Sequence, residues 1–306
     1  ILMKQLLYIF VFLLFLTSKG NTQSFEIKGK TYQYEDLNTV SKPKALLVLF
    51  NGGSGIASKI AKETSIQDSA SIRGVKTIGI NQSELFLSDS NYTRIKTIIS
   101  YVMKESSIKN VFMGGFSLGG MTTLRFTEIA VEKGDSAVIP KAIFSIDPPV
   151  DNVVLRNYCI KELNRQCSNQ KDVNAGKIEA EWILNYYKSH FGEFEKDSSN
   201  YIKSSCYSVT KGDGGNAKYL LNIPIKMIHE INAMWQIKEK CRDLSDSNIL
   251  TSSKMVNYLY NNGNKHATLE LTQNKGKRLD GSIHPHSWSI ADPSTTLDWL
   301  LSYIKN

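Results

Sequence analysis

The chain has 306 residues, a formal net charge of +8 and 41% hydrophobic residues, enough for one large α/β domain with a substantial core. Its basic residues are scattered, as at Lys59, Lys62 and Lys96, and form no dense stripe. The charge therefore reads as a solvated basic surface and argues against a nucleic-acid partner.

At the N-terminus, Lys4 precedes an apolar run from Leu6 to Leu16, followed by small and polar residues. That layout predicts a secretory signal peptide. The run is shorter than the about 20 residues that cross a bilayer, so no stable membrane insertion is expected after cleavage. Cleavage is expected near Ser18 and Gly20 or near Thr22 and Ser24. The leader is placed at 1–24 and the mature domain at 25–306, secreted or periplasmic. No cysteine near the cut suggests a lipid anchor.

The alternating stretch FEIKGKTYQYE predicts a strand with a hairpin turn at Lys28-Gly29. KALLVLF (44–50) reads as a buried central strand that stops at NGGSG, and 56–73 is compatible with a helix. VKTIGIN (75–81) reads as a strand. NYTRIKTIISYVMKE carries Ile95, Ile98, Ile99 and Val102 on one helical face. Val111–Met113 is a short apolar strand, and Leu118, Met121, Leu124 and Ile129 fall at helical spacing. KAIFSID (141–147) is a further strand. Strands alternating with helices predict an α/β fold with a mostly parallel sheet.

The rhythm breaks at 148–222, a segment rich in aromatic residues whose GKIEAEWILNYYKSHFGEF predicts an amphipathic helix. It reads as a helical cap inserted before the strand IPIKMIHE (223–230). HATLELTQ (266–273) and a helix introduced by Asp292 and Pro293 complete the chain as a single domain. Of the four cysteines, Cys159, Cys167 and Cys206 lie in the insert and Cys241 lies beyond it. Export predicts two disulfides with three open pairings. One is expected to run through Cys241 and tie the cap to the loop after residue 230. No CxxC pair or Cys/His spacing supports a metal site.

Between the strand at 111–113 and the helix from Leu118 stands GGFSLGG. A sharp strand-to-helix turn needs small residues on both sides of its centre, here Gly115 and Gly119 around Ser117. Ser117 is the candidate nucleophile. A serine needs a base for its proton, usually a histidine oriented by a carboxylate. His286 in GSIHPHSWSIADP, just before the last helix, is the candidate base, with His284 the alternative. His190, His229 and His266 read as structural or exposed. Leu118 N–H and a donor at Gly52 or Gly53 are the candidate oxyanion hole. GGSG lacks the Gly-Lys-Ser/Thr of a phosphate loop, and no cofactor is expected.

Taken together, NGGSG after a strand, GGFSLGG and HPHSW before a terminal helix resemble the α/β-hydrolase superfamily over about residues 44–306. DPPVD, GGNAKYL and IPIKMIHE are similar to secreted hydrolases of Bacteroidetes-type bacteria. The resemblance implies an eight-stranded, mostly parallel sheet and hydrolysis of esters, amides or related bonds. Where the superfamily usually presents an aspartate beyond the strand at 223–230, this chain reads Glu230, Ile231, Asn232, Ala233. Glu230 is the first candidate for the acid. Asp147, after the preceding strand, is the second, a position that some lipases of the superfamily use. Asp246 is the third and reads more readily as a helix cap. The expected function is an exported serine esterase, lipase-like, acting on a small-molecule or ester substrate. The alternatives are a serine peptidase of the same fold and an inactive binding module. Oligomeric state and substrate identity are not legible.

Overall fold

The computed structural model describes residues 21–304 apart from 54, 83, 168 and 169, and the side chains of 170–173 are likewise not described. Residues 1–20 of the expected leader lie outside the described residues. The last four residues of that leader belong to a strand.

That strand, β1 (Asn21–Ile27), pairs antiparallel with β2 (Lys30–Asp36). The turn falls at Lys28 and Gly29 as expected, with φ of 51° and 73°. Two positive φ values in a two-residue loop match the right-handed twist of the flanking strands. Next come β3 (Ala45–Phe50), α1 (Ile60–Glu63), α2 (Ile66–Ile72) and β4 (Val75–Gly79). The single helix expected over 56–73 is broken at Thr64. There the backbone turns extended, and Oγ1 accepts the N–H of Ile66 in place of helix continuation. Then follow α3 (Asp89–Glu105), β5 (Val111–Phe116), α4 (Leu118–Glu132) and β6 (Ile143–Ile146).

Among the described residues the insert holds three α-helices, α5 (Asn152–Leu163), α6 (Gln170–Phe191) and α7 (Phe194–Ser204), and a short 3-10 helix at Gly215–Leu220. The core resumes with β7 (Ile225–Glu230), α8 (Ala233–Lys240), α9 (Ile249–Asn261), β8 (Ala267–Thr272) and α10 (Pro293–Leu301).

The eight strands make one sheet in the order β1-β2-β4-β3-β5-β6-β7-β8. Every pair from β4 to β8 across the sheet is parallel. The central strands β3 and β5 are buried at every residue. That is why they read as continuous apolar runs and not as alternating ones. Separate apolar clusters cover the two faces, one around Ile98, Leu124 and Met255, the other around Phe112, Phe144 and Trp288. Parallel strands put all their carboxyl ends on one edge, and the loops after β3, β5, β6, β7 and β8 meet there.

Candidate active site

Ser117 sits between β5 and α4 with φ 56° and ψ −123°. A non-glycine residue held there stores about 1–3 kcal/mol of backbone strain. The turn survives because its neighbours leave room. A Cβ on Gly115 would lie 2.2 Å from Gly119 O, and one on Gly119 would lie 2.3 Å from Phe50 O. The Ser117 N–H is anchored to Ile146 O of β6 at 2.8 Å. Leu118 opens α4, so its N–H has no intrahelical acceptor and is free for a ligand.

Ser117 borders a cavity of about 300 Å³ together with Leu118, Gly53, Asp147, His229 and His286. Leu155 and Cys159 of α5 and Ala180 and Ile183 of α6 wall it from the insert side. Trp235 of α8 and Arg278 also line it. The insert thus contributes one wall of the space that holds the serine.

His286 Nδ1 lies 2.5 Å from Asp147 Oδ2. Asp147 follows β6 with φ 45° and is pinned on three sides. Its N–H donates to Ile228 O at 2.9 Å, its carbonyl accepts from Asn248 Nδ2 at 3.1 Å, and its Oδ1 lies 2.8 Å from His229 Nδ1. Burial pushes the carboxyl up. The positive charge that His286 can carry and the hydrogen bonds from both imidazoles outweigh it, leaving Asp147 held well below the usual carboxylate range. An ionised carboxylate only accepts, so both histidines donate from Nδ1. His286 Nε2 is left as a lone pair, the form a general base requires. The His286 ring also packs on Phe116, 4.5 Å between centroids. His284, the alternative base, does not reach a carboxylate. It packs edge-on against Trp235, takes a contact from Arg278 on Nδ1, and is pushed down to about 3 by burial and by the Arg278 charge.

No family model matches the chain, and no curated protein matches it in sequence. Its structure is similar to an esterase of Rhizomucor miehei, with a TM-score of 0.58, 15% identity, and coverage of 92% of this chain and 83% of that one. It is similar to carboxyl esterase 2 of Tuber melanosporum, with a TM-score of 0.56, 12% identity, and coverage of 94% and 85%. An esterase of Pyrococcus furiosus gives 0.53, 10%, 92% and 91%. The chain has the α/β-hydrolase fold.

On this α/β-hydrolase scaffold Glu230 and Gly52 are engaged elsewhere, whereas Asp246 takes part in a helix-capping box with Asp243, in keeping with its reading as a cap. Glu230 was the first candidate acid, yet its Oε2 accepts the N–H groups of Lys275 at 2.8 Å and Gly276 at 2.7 Å. It closes the loop after β8 and makes no bond to His286. Asp246 binds Lys161 at 2.5 Å and Arg165 at 3.1 Å, holding α5 to the segment after β7. Gly52 N–H lies 2.9 Å from Asn51 Oδ1, which also accepts from Trp288 Nε1 at 2.9 Å. That amide is already engaged, and Gly53, not Gly52, borders the cavity. The glycine at 52 has a steric reason instead, because a Cβ there would lie 2.9 Å from Ser117 Cβ.

His229 is the residue that sequence reasoning passed over. Its contact with Asp147 follows from strand register. Ile146 of β6 pairs with Ile228 of β7, so the next residue of each strand points to the same place. The cysteines divide. Cys167 and Cys241 are bridged, 74 residues apart, tying the insert to the end of α8. The second expected bridge is corrected: Cys159 and Cys206 are free and buried. Cys206 Sγ faces Met121 O at 3.4 Å, and burial pushes the Cys159 thiol up to about 12. Both behave as small core residues. Among the described residues no helix is long and apolar enough to cross a membrane, and no three His, Cys, Asp or Glu side chains gather as a metal site.

Proposed function

We propose that the protein is a serine hydrolase that cleaves carboxylic esters through an acyl-enzyme. Ser117 Oγ attacks the ester carbonyl while His286 Nε2 takes its proton. The same imidazolium then protonates the leaving alkoxide. Asp147 holds His286 in the Nδ1–H tautomer and stabilises its charge. The N–H groups of Leu118 and Gly53 are the donors for the tetrahedral oxyanion. Water then repeats the relay and releases the acid. The observation that carries this reading is the His286–Asp147 pair in the same cavity as a serine at a strained strand-to-helix turn.

That the structurally similar proteins are esterases supports an ester over a peptide. The walls mix apolar side chains with Arg278, Glu179 and Tyr158, so the cavity suits a short acyl group with a polar part. The Cys167–Cys241 bridge supports export into an oxidising compartment. The test is a panel of nitrophenyl esters of increasing acyl length beside aminopeptidase and endopeptidase substrates. Ester turnover that disappears in Ser117→Ala is expected. Turnover of peptides alone points to a peptidase, and a folded protein inert to every substrate points to a binding module.

A further inference from the structure

We propose that His229 is a positioning residue of this site, holding the Asp147 carboxylate in the one rotation that serves His286. The role presupposes the triad proposed above and goes beyond it. His229 is 1% exposed and lies at the carboxyl end of β7, the strand next to the one that carries Asp147. Its Nδ1 is 2.8 Å from Oδ1, and His286 Nδ1 is 2.5 Å from Oδ2, so each carboxylate oxygen has its own imidazole donor. His229 Nε2 is buried with no hydrogen-bond partner. A proton there would find no acceptor, so the hydrogen stays on Nδ1 and the side chain is fixed as a donor. The carboxylate cannot turn without breaking the His229 bond, and its backbone is already held by Ile228 and Asn248. A short carboxylate that follows a four-residue strand would otherwise rotate freely about χ2, the broad torsion of aspartate. His229 borders the cavity but is 1% exposed, and in this scheme it acts through Asp147.

The test compares His229→Asn, whose Nδ2 can replace the imidazole Nδ1, with His229→Gln, whose amide is displaced by one bond, and with His229→Ala. Each is assayed on the ester that the wild type turns over best, with kcat and KM determined separately. His229→Ala and His229→Gln should lower kcat about 10- to 100-fold, the size seen when an outer hydrogen-bond partner of an oriented ligand is lost, with KM within about twofold. His229→Asn should restore kcat. Equal kcat in all three would overturn the proposal, as would equal loss in Asn and Gln variants that melt like the wild type. If His229→Ala does not fold, the Asn–Gln pair alone decides. Ser117→Ala separates this failure from failure of the site itself. A dead Ser117→Ala beside indifferent His229 variants rejects only the positioning role, whereas an active Ser117→Ala rejects the triad.

Discussion

Replacing Asp147 by asparagine sets the two histidines in competition. A carboxylate offers an acceptor to each of His229 and His286, at 2.8 and 2.5 Å. An amide of the same shape offers one acceptor and one donor, so one imidazole must move its proton to Nε2. For His229 that places an N–H where no acceptor exists, a penalty of about 1–3 kcal/mol. For His286, whose side chain is 30% exposed at the cavity, the proton on Nε2 is readily solvated. The amide oxygen therefore faces His229 by a preference of roughly 5- to 150-fold, and His286 is driven into the tautomer that cannot accept the serine proton. Asp147→Asn should lose about 10⁴-fold in kcat at near-constant KM and melting temperature. Adding His229→Ala frees the amide oxygen for His286 and should recover about 10-fold or more of that loss. The same His229→Ala lowers kcat in the wild-type background. That reversal of sign cannot come from general destabilisation. Steady-state ester hydrolysis beside thermal melts monitored by circular dichroism is sufficient. Asp147→Asn within tenfold of wild-type kcat would refute Asp147 as the orienting acid. A double variant no faster than Asp147→Asn would refute the tautomer competition.

Glu230→Gln should keep kcat within about threefold and lower the melting temperature. It loses about 1–2 kcal/mol of charge-assisted bonding to the N–H groups of Lys275 and Gly276. Replacing Cys167 and Cys241 by serine should destabilise the protein by up to about 4.5 kcal/mol, the chain-entropy value for a separation of 74 residues. Alkylation followed by mass spectrometry should find one bridge and two thiols, at Cys159 and Cys206, that react only after denaturation. Gly119→Ala should cost about 1–3 kcal/mol or more, read from its melting curve. The new Cβ would lie 2.3 Å from Phe50 O and 2.5 Å from Asn51 O, backbone atoms that cannot step aside.

The sheet was legible because its physics is local. Buried parallel strands such as β3 and β5 are apolar at every position, and the Lys28-Gly29 turn sits between alternating runs. The strand-to-helix turn at Ser117 was legible for the same reason, since its steric demand falls on residues two positions away. His286, as a candidate, could be picked out from its place before α10. The carboxylate that it faces could not, because Glu230 at the end of β7 and Asp147 just after β6 stand at the same edge of adjacent strands. What separates them is where each carboxylate points. Glu230, one methylene longer, turns to the backbone of the loop after β8, whereas Asp147, with φ at 45°, turns to His286. His229 was hidden similarly. Its partner is set by the β6–β7 register, which no single strand records. The cysteine count suggested two bridges, yet Cys159 and Cys206 are buried apart as apolar side chains, and a count cannot distinguish a staple from core. The excursion of α8 and α9 after β7 carried little periodic signal over eight residues of α8 and supplies a cavity wall.

Labelling with a fluorophosphonate probe, mapped by peptide mass spectrometry, tests the central claim most directly, because the probe reacts with a serine only when a base and an oxyanion hole activate it. The account predicts one adduct per chain, on Ser117, absent in Ser117→Ala and strongly slowed in Asp147→Asn. An unlabelled protein with a native melting curve, or an adduct on any other residue, would contradict it.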